Sequence, residues 1–250
     1  MDQFFCVELL LGKEKLKRIR QASVTIVGIG AVGSYAVEAL ARAGVGRMRL
    51  VDFDKIKSSN LNRHILALRS TIGQSKVSLA AQRVKDINPS CAVDVLESFA
   101  AQESFARIFD NEPDLVIDAI DSLSPKAQLI SACYRRKIPV ISSMGAATRL
   151  DPLSVRVADL LDTRSCPLAR QLRGKLKREG IGRGVICVYS EEPRNKLAID
   201  PTNAHSEDDY KRGRPRSKLG SLPTITGIFG LTVAHIALEK LCGGFKNKLI

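Results

Sequence analysis

Two cations and three carboxylates stand out by type and position: Arg63 in SSNLNRHI (58–65), Lys76 in GQSK (73–76), Asp52 and Asp54 in VDFD (51–54), and Asp121 in VIDAIDS (116–122). Attack on the α-phosphate of ATP builds negative charge that cations must stabilise, whereas hydride transfer has no use for cations gathered around the first phosphate. Arg63, Lys76 and Asp121, the last as a Mg²⁺ ligand, form a set suited to nucleotidyl transfer.

These residues follow a phosphate-binding turn. Gly28, Gly30 and Gly33 form G-x-G-x-x-G between an expected strand and an expected helix. In that setting the first glycine makes the tight turn, the second admits phosphate to the backbone, and the third lets helix pack on strand. The phosphate then rests on the amides of the helix start. Asp52 ends the next strand, nineteen residues after Gly33, where a carboxylate accepts ribose hydroxyls. Asp54 reads either as a second nucleotide contact or as a turn or capping acid. Neither acid separates NAD from ATP, since both ligands carry an adenosine ribose.

The elements that must hold these residues alternate. A short helix is expected over VELLLGKEKLKRI, then strand SVTIVGIG, a helix ending at Gly44, strand GRMRLVDFD, a helix at 74–87, a strand at 91–96, a short helix near 101–109, strand DLVIDAID, helix SPKAQLISACYRR and strand IPVISS. That order predicts an α/β, Rossmann-like, mostly parallel sheet with helices on both faces. The second half is less regular and mixed α/β: strands SVRVADL and GVICVYS, a basic amphipathic helix CPLARQLRGKLKRE, and a long apolar helix from Pro223 to Cys242. One domain spanning 1–250 is expected, with its nucleotide-binding half at about 20–150 and a mobile, charge-rich loop at 190–222. Gly227, Gly230, His235, Glu239 and Lys240 make the long apolar segment a core helix rather than a membrane span, and no stable membrane insertion is expected.

Thirty-nine Lys and Arg against 26 Asp and Glu give a formal charge of +13, which favours polyanionic company. From Arg164 to Arg183 there are seven basic residues and one acid, Glu179, and Lys211–Lys218 adds five more cations. On the helix Leu168, Leu172 and Leu176 form an apolar stripe while Arg170, Arg173 and Lys177 share another face, suited to phosphates or simply to water. The six cysteines (6, 91, 133, 166, 187, 242) contain no CxxC pair, which argues against a disulfide framework and a paired-cysteine zinc site. A cytoplasmic location is expected, and the amino terminus lacks the pattern of a secretory signal. Cys166, at an expected helix start among basic residues, is the one cysteine whose surroundings suit a reactive thiol, with a structural or capping role as the alternative.

GIGAVGS, VDFD, SSNLNRH, GQSK and DAIDS, in that order, resemble the ubiquitin-activating-enzyme-like superfamily, which includes the bacterial adenylyltransferases of sulfur-carrier proteins. The resemblance implies that Asp52 holds ribose, that Asn60 and Arg63 work near the phosphates, that Lys76 stabilises the α-phosphate and that Asp121 places Mg²⁺. Sulfur-carrier activators commonly hold zinc through two CxxC pairs, so a branch without zinc is favoured. INPSCAV, IPVISSMGAATRLDP, VRVADLLDTRSCPLARQLR and LPTITGIFG are similar to the tRNA threonylcarbamoyladenosine dehydratase family, from about Glu8 to Leu241. This implies ATP-dependent cyclisation of threonylcarbamoyladenosine in tRNA through an adenylated carboxylate. The partners so implied are tRNA, a second copy of the chain and a sulfur-transfer protein.

Two positions depart from the family pattern. Cys6 stands where relatives carry an arginine that reaches across a dimer, and His64 stands where they carry a glutamine, so His64 reads as a phosphate donor or as a packing or capping residue. Other readings are an adenylyltransferase acting on a sulfur-carrier or ubiquitin-like protein, and a catalytically weak nucleotide-binding scaffold.

Overall fold

The computed structural model describes residues 2–200 and 218–245. Two helices lead, α1 (Phe5–Leu11) and α2 (Lys13–Gln21), where the apolar spacing had suggested one. Gly12, at φ 86°, ends the first and opens the second, a backbone conformation that favours glycine.

The nucleotide-binding half follows the expected alternation closely. It runs β1 (Ser23–Val27), α3 (Ala31–Ala43), β2 (Arg47–Asp52), α4 (Lys76–Ile87), β3 (Ala92–Glu97), α5 (Phe105–Ile108), β4 (Leu115–Asp118), α6 (Leu123–Arg136) and β5 (Val140–Ser143). The short helix near 101–109 splits into a 3₁₀ turn at Gln102–Ser104 and the single turn of α5. Then come β6 (Val155–Asp159), α7 (Pro167–Arg178), β7 (Ile186–Ser190), the paired short strands β8 (Ile199–Asp200) and β9 (Lys218–Leu219), and α8 (Pro223–Leu241). Of the loop expected at 190–222, both ends are ordered and joined by the β8–β9 pair, while 201–217, with most of the Lys211–Lys218 cluster, lies outside the described residues.

Seven strands form one sheet in the order β3-β2-β1-β4-β5-β7-β6, parallel throughout except for the antiparallel β6 at the edge. Alternation along each strand divides the core in two. Val24, Ile26, Leu50, Leu115, Ile117, Ile141 and Val188 face α3, α4 and α8. Val27, Val51, Val116, Val140, Cys187 and Tyr189 face α5, α6 and α7. Strands covered on both faces read as continuous apolar runs, which is why SVTIV and DLVID are so uniform.

Helix α8 has the length and apolarity to cross a membrane, yet it is built into the first core. Phe229, Val233 and Ala237 are fully buried. A Cβ on Gly230 would lie 2.4 Å from the Val32 carbonyl oxygen and 2.7 Å from Tyr35 Cβ. Glycine here lets α8 lie against α3, the helix that begins at the glycine turn.

Candidate nucleotide site

The carboxyl ends of β1 and β4 are neighbours, and between their loops lies the crevice where open α/β sheets hold ligands. Each glycine of the turn has a separate task there. Gly28 (φ 93°) leaves no room for a side chain, since a Cβ would sit 2.8 Å from the Ala119 carbonyl oxygen. At Gly33 a Cβ would be 1.9 Å from the Gly28 oxygen, so α3 can approach β1 only with glycine there. Gly30 meets nothing within 4 Å. Its backbone is open at the start of α3, a thirteen-residue helix whose first amides have no intrahelical acceptor.

Asp52 fastens this turn to the end of β2. Its Oδ2 accepts the Ile29 N–H at 2.6 Å and its Oδ1 the Asp54 N–H at 2.8 Å. Burial pushes its carboxyl above the ordinary value, with Lys76 opposing. His64 braces the turn from the other side: Nδ1 accepts the Leu66 N–H at 3.2 Å, so Nε2 carries the proton it donates to the Ile29 oxygen at 2.7 Å. Burial lowers its pKa to about 4. Both ring nitrogens are therefore engaged by backbone, so His64 packs and caps the turn, and its one N–H is spent on the Ile29 oxygen rather than free for phosphate.

Lys76 opens α4, and its Nζ meets Asp54 Oδ2 at 2.7 Å with the lysine side chain only 8% exposed. Asp54 is thus the partner of the lysine rather than a helix cap. Its other oxygen, Oδ1, and the neighbouring Ser75 Oγ are buried without a hydrogen-bond partner among the described residues. Unsatisfied polar atoms are costly to bury, and two of them flanking an ammonium fit a polar ligand.

Arg63 is half-buried, and its Nη1 donates to the Ser59 carbonyl at 2.7 Å and Asn62 Oδ1 at 2.8 Å. Asn60 shapes the turn that presents it, its Oδ1 accepting the Lys57 N–H at 3.0 Å. Asp121 is exposed beyond β4 and accepts from Ser122 Oγ at 3.3 Å. Ser122, not Asp121, occupies the cap position of α6. A single carboxylate suits Mg²⁺, which usually takes one or two carboxylates with nucleotide phosphates and water. Among the described residues no group of three or more His, Cys, Asp or Glu is placed to hold a metal by itself.

A buried ion pair beneath this loop has no local signal in the sequence. Asp118 and Lys126 are both fully buried, Oδ2 to Nζ 2.7 Å. The same oxygen accepts from Ser142 Oγ at 2.7 Å, Lys126 also donates to the Ser143 carbonyl at 2.9 Å, and Asp118 Oδ1 accepts the Ile120 N–H at 3.1 Å. The network holds residues 119–121 against Gly28 and so sets where Asp121 stands. VIDAIDS offered two aspartates, and spacing alone did not reveal that the first faces inward.

The thiols lie apart from this chemistry. Only Cys6 is exposed. Burial raises Cys91 to about 11 and moves Cys133 and Cys187 still higher. Cys166 is buried at the start of α7 and makes no capping hydrogen bond, so it packs rather than caps.

A doubly covered, mostly parallel sheet with a glycine turn, an open helix start and a lysine–aspartate pair at its carboxyl edge defines a Rossmann-like α/β protein of the nucleotide-binding kind. The chain belongs to the ThiF family, which it matches over residues 6–249. It is 40% identical to the tRNA threonylcarbamoyladenosine dehydratase of Bacillus subtilis, across 96% of this chain and 95% of that one. The solved Escherichia coli tRNA N6-threonylcarbamoyladenosine dehydratase in complex with ATP superposes with a TM-score of 0.85 at 36% identity, covering 96% of this chain and 94% of that one. Similarity to the molybdopterin-synthase adenylyltransferase of Escherichia coli is 39% but reaches only 56% of this chain and 54% of that protein.

Proposed function

We infer that this chain is an ATP-dependent tRNA-modifying enzyme that cyclises threonylcarbamoyladenosine by adenylating its carboxylate. The observation that carries this is similarity to dehydratases along nearly the whole chain, whereas similarity to a molybdopterin-synthase adenylyltransferase stops at about half. A free carboxylate is a poor electrophile because oxide would have to leave. Its oxygen attacks the α-phosphate of ATP, pyrophosphate departs, and the resulting acyl-adenylate has AMP as its leaving group. An atom of the neighbouring carbamoyl group then attacks the carbonyl carbon, loses its proton and expels AMP. Both partners belong to one substituent, so proximity supplies much of the second step.

In this reading the amides around Gly30 cradle phosphate and Asp52 orients the ribose. Lys76, released in part from Asp54, and Arg63 meet the charge that develops on the α-phosphate. Asp54 and Asn60 position those cations. Mg²⁺ would be held by Asp121 together with the nucleotide phosphates and would neutralise charge on the departing pyrophosphate. A homodimer is part of the same proposal, supported by Leu9 and Leu10 of α1, which are 70% and 84% exposed and suit a second copy as cover.

The test is AMP release from labelled ATP in the presence of threonylcarbamoyladenosine-bearing tRNA or of a sulfur-carrier protein. Release with tRNA alone is expected. Release with the carrier alone replaces this reading by the adenylyltransferase one, and silence with both leaves a nucleotide-binding scaffold.

A further inference from the structure

Helix α7 carries its charge in an arrangement that the nucleotide site does not use. Ala169, Leu172 and Leu176 are buried against the second core. On the opposite side Arg170, Gly174, Lys177 and Arg178 are all exposed, and their spacing of four, three and one residues places them along one stripe. Arg173, which the sequence had grouped with this face, is turned inward to the carbonyls of Thr163 at 2.9 Å and Leu160 at 3.3 Å. Glu179, the one acid between Arg164 and Arg183, is bonded to Ser131 Oγ at 2.7 Å and Arg135 at 3.3 Å. No ion pair engages Arg170, Lys177 or Arg178 among the described residues, and Arg178 Nε rests on the Gly174 carbonyl at 3.1 Å.

Gly174 is the second observation. Glycine is among the poorest residues for a helix interior, and here packing gives no reason for it, because a Cβ would meet nothing within 4 Å. What it leaves is bare helix surface between cations, where a bulky chain can come close. The direction of α7 also matters. Lys175 Nζ reaches Ser124 Oγ in the first turn of α6 at 3.3 Å, and Glu179 reaches Ser131 further along α6. The two helices therefore run the same way, and Arg170 lies towards the end of α7 that is nearer the start of α6.

We propose that the stripe formed by Arg170, Gly174, Lys177 and Arg178 is a docking surface for the sugar–phosphate backbone of the tRNA substrate. It rests on the function proposed above and names the part of the surface that holds the RNA outside the nucleotide site. Arg170 stands about 10 Å along the helix axis from the neighbouring pair Lys177 and Arg178, at 1.5 Å per residue, so the two ends of the stripe can meet different phosphates, and the glycine lets the ribose between them approach.

The experiment compares the full-length protein with the R170Q/K177Q/R178Q triple variant and with G174A. Binding to threonylcarbamoyladenosine-bearing tRNA and turnover are measured at two salt concentrations, and ATP affinity separately. The triple variant is expected to raise KM and Kd for tRNA about tenfold and to make the log–log salt dependence shallower by about 2, with ATP affinity and kcat at saturating tRNA unchanged. G174A is expected to melt higher, since alanine is the better helix former, and to bind tRNA more weakly. Wild-type tRNA affinity and salt slope in both variants would overturn the surface. Binding by the wild type without turnover of any modified tRNA would sink the function proposal alone, because Kd still judges the stripe; absence of binding by the wild type would sink both.

Discussion

Replacing Lys126 by methionine removes the one cation that neutralises Asp118 and leaves that carboxylate fully buried with Ser142 Oγ as its remaining side-chain partner. Breaking a buried pair from one side costs about 3–5 kcal/mol, because an uncompensated charge remains in low dielectric. For a chain of this size that corresponds to a fall in melting temperature of roughly 10 °C. The pair itself contributes far less than this, since removing both charges also removes the desolvation cost. D118N/K126M is therefore expected to recover part of what K126M loses, though an amide at this position cannot satisfy every group that the Asp118 carboxylate does. Urea unfolding of the three proteins gives the comparison directly. A loss below about 1 kcal/mol in K126M, or a double variant no better than the single one, would refute the account of this network.

The glycine turn makes two opposite predictions. G33A forces a Cβ to 1.9 Å from the Gly28 oxygen and should destabilise by about 3 kcal/mol or more in chemical denaturation. G30A adds a Cβ to open space, so stability should hold within about 1 kcal/mol while ATP affinity, measured by calorimetry, falls. His64 predicts an acid effect. Its pKa drops from 6.5 to about 4 on folding, so the unfolded chain binds the extra proton first. Its contribution to stability is complete above pH 6.5 and is lost as pH falls towards 4, by an amount on the order of 3 kcal/mol. His64→Gln should be less stable at neutral pH and should show a flatter stability profile in that window; an unchanged profile would remove His64 from its bracing role.

Much of the nucleotide half was legible because its signals are local. Short continuous apolar runs marked β1, β2 and β4, and the spacing of Gly28, Gly30 and Gly33 between strand and helix marked the turn. Lys76 and Asp54, twenty-two residues apart, were each singled out by type, but their 2.7 Å contact required the return of the chain along residues 73–76, where Ile56 and Gln74 are hydrogen-bonded. Asp118 carries no such local signal, because a strand residue's inward face is decided by the strands beside it, here β5 and its Ser142. Arg173 shows the same limit on a helix: periodicity placed it on a charged face, whereas its guanidinium donates to the carbonyls of Leu160 and Thr163, which the fold brings beside it. The break of α1 from α2 was signalled only by Gly12, and a lone glycine does not distinguish a break from a tolerated helical residue.

The most direct test follows one oxygen atom. Threonylcarbamoyladenosine-bearing tRNA with heavy oxygen in the threonine carboxylate is incubated with the protein and ATP, and the AMP released is analysed by mass spectrometry. Attack of the carboxylate on the α-phosphate predicts one labelled oxygen in AMP, with the yield collapsing in Lys76→Ala while ATP still binds. Cyclic product accompanied by unlabelled AMP, or full label transfer in the Lys76 variant, would contradict the account.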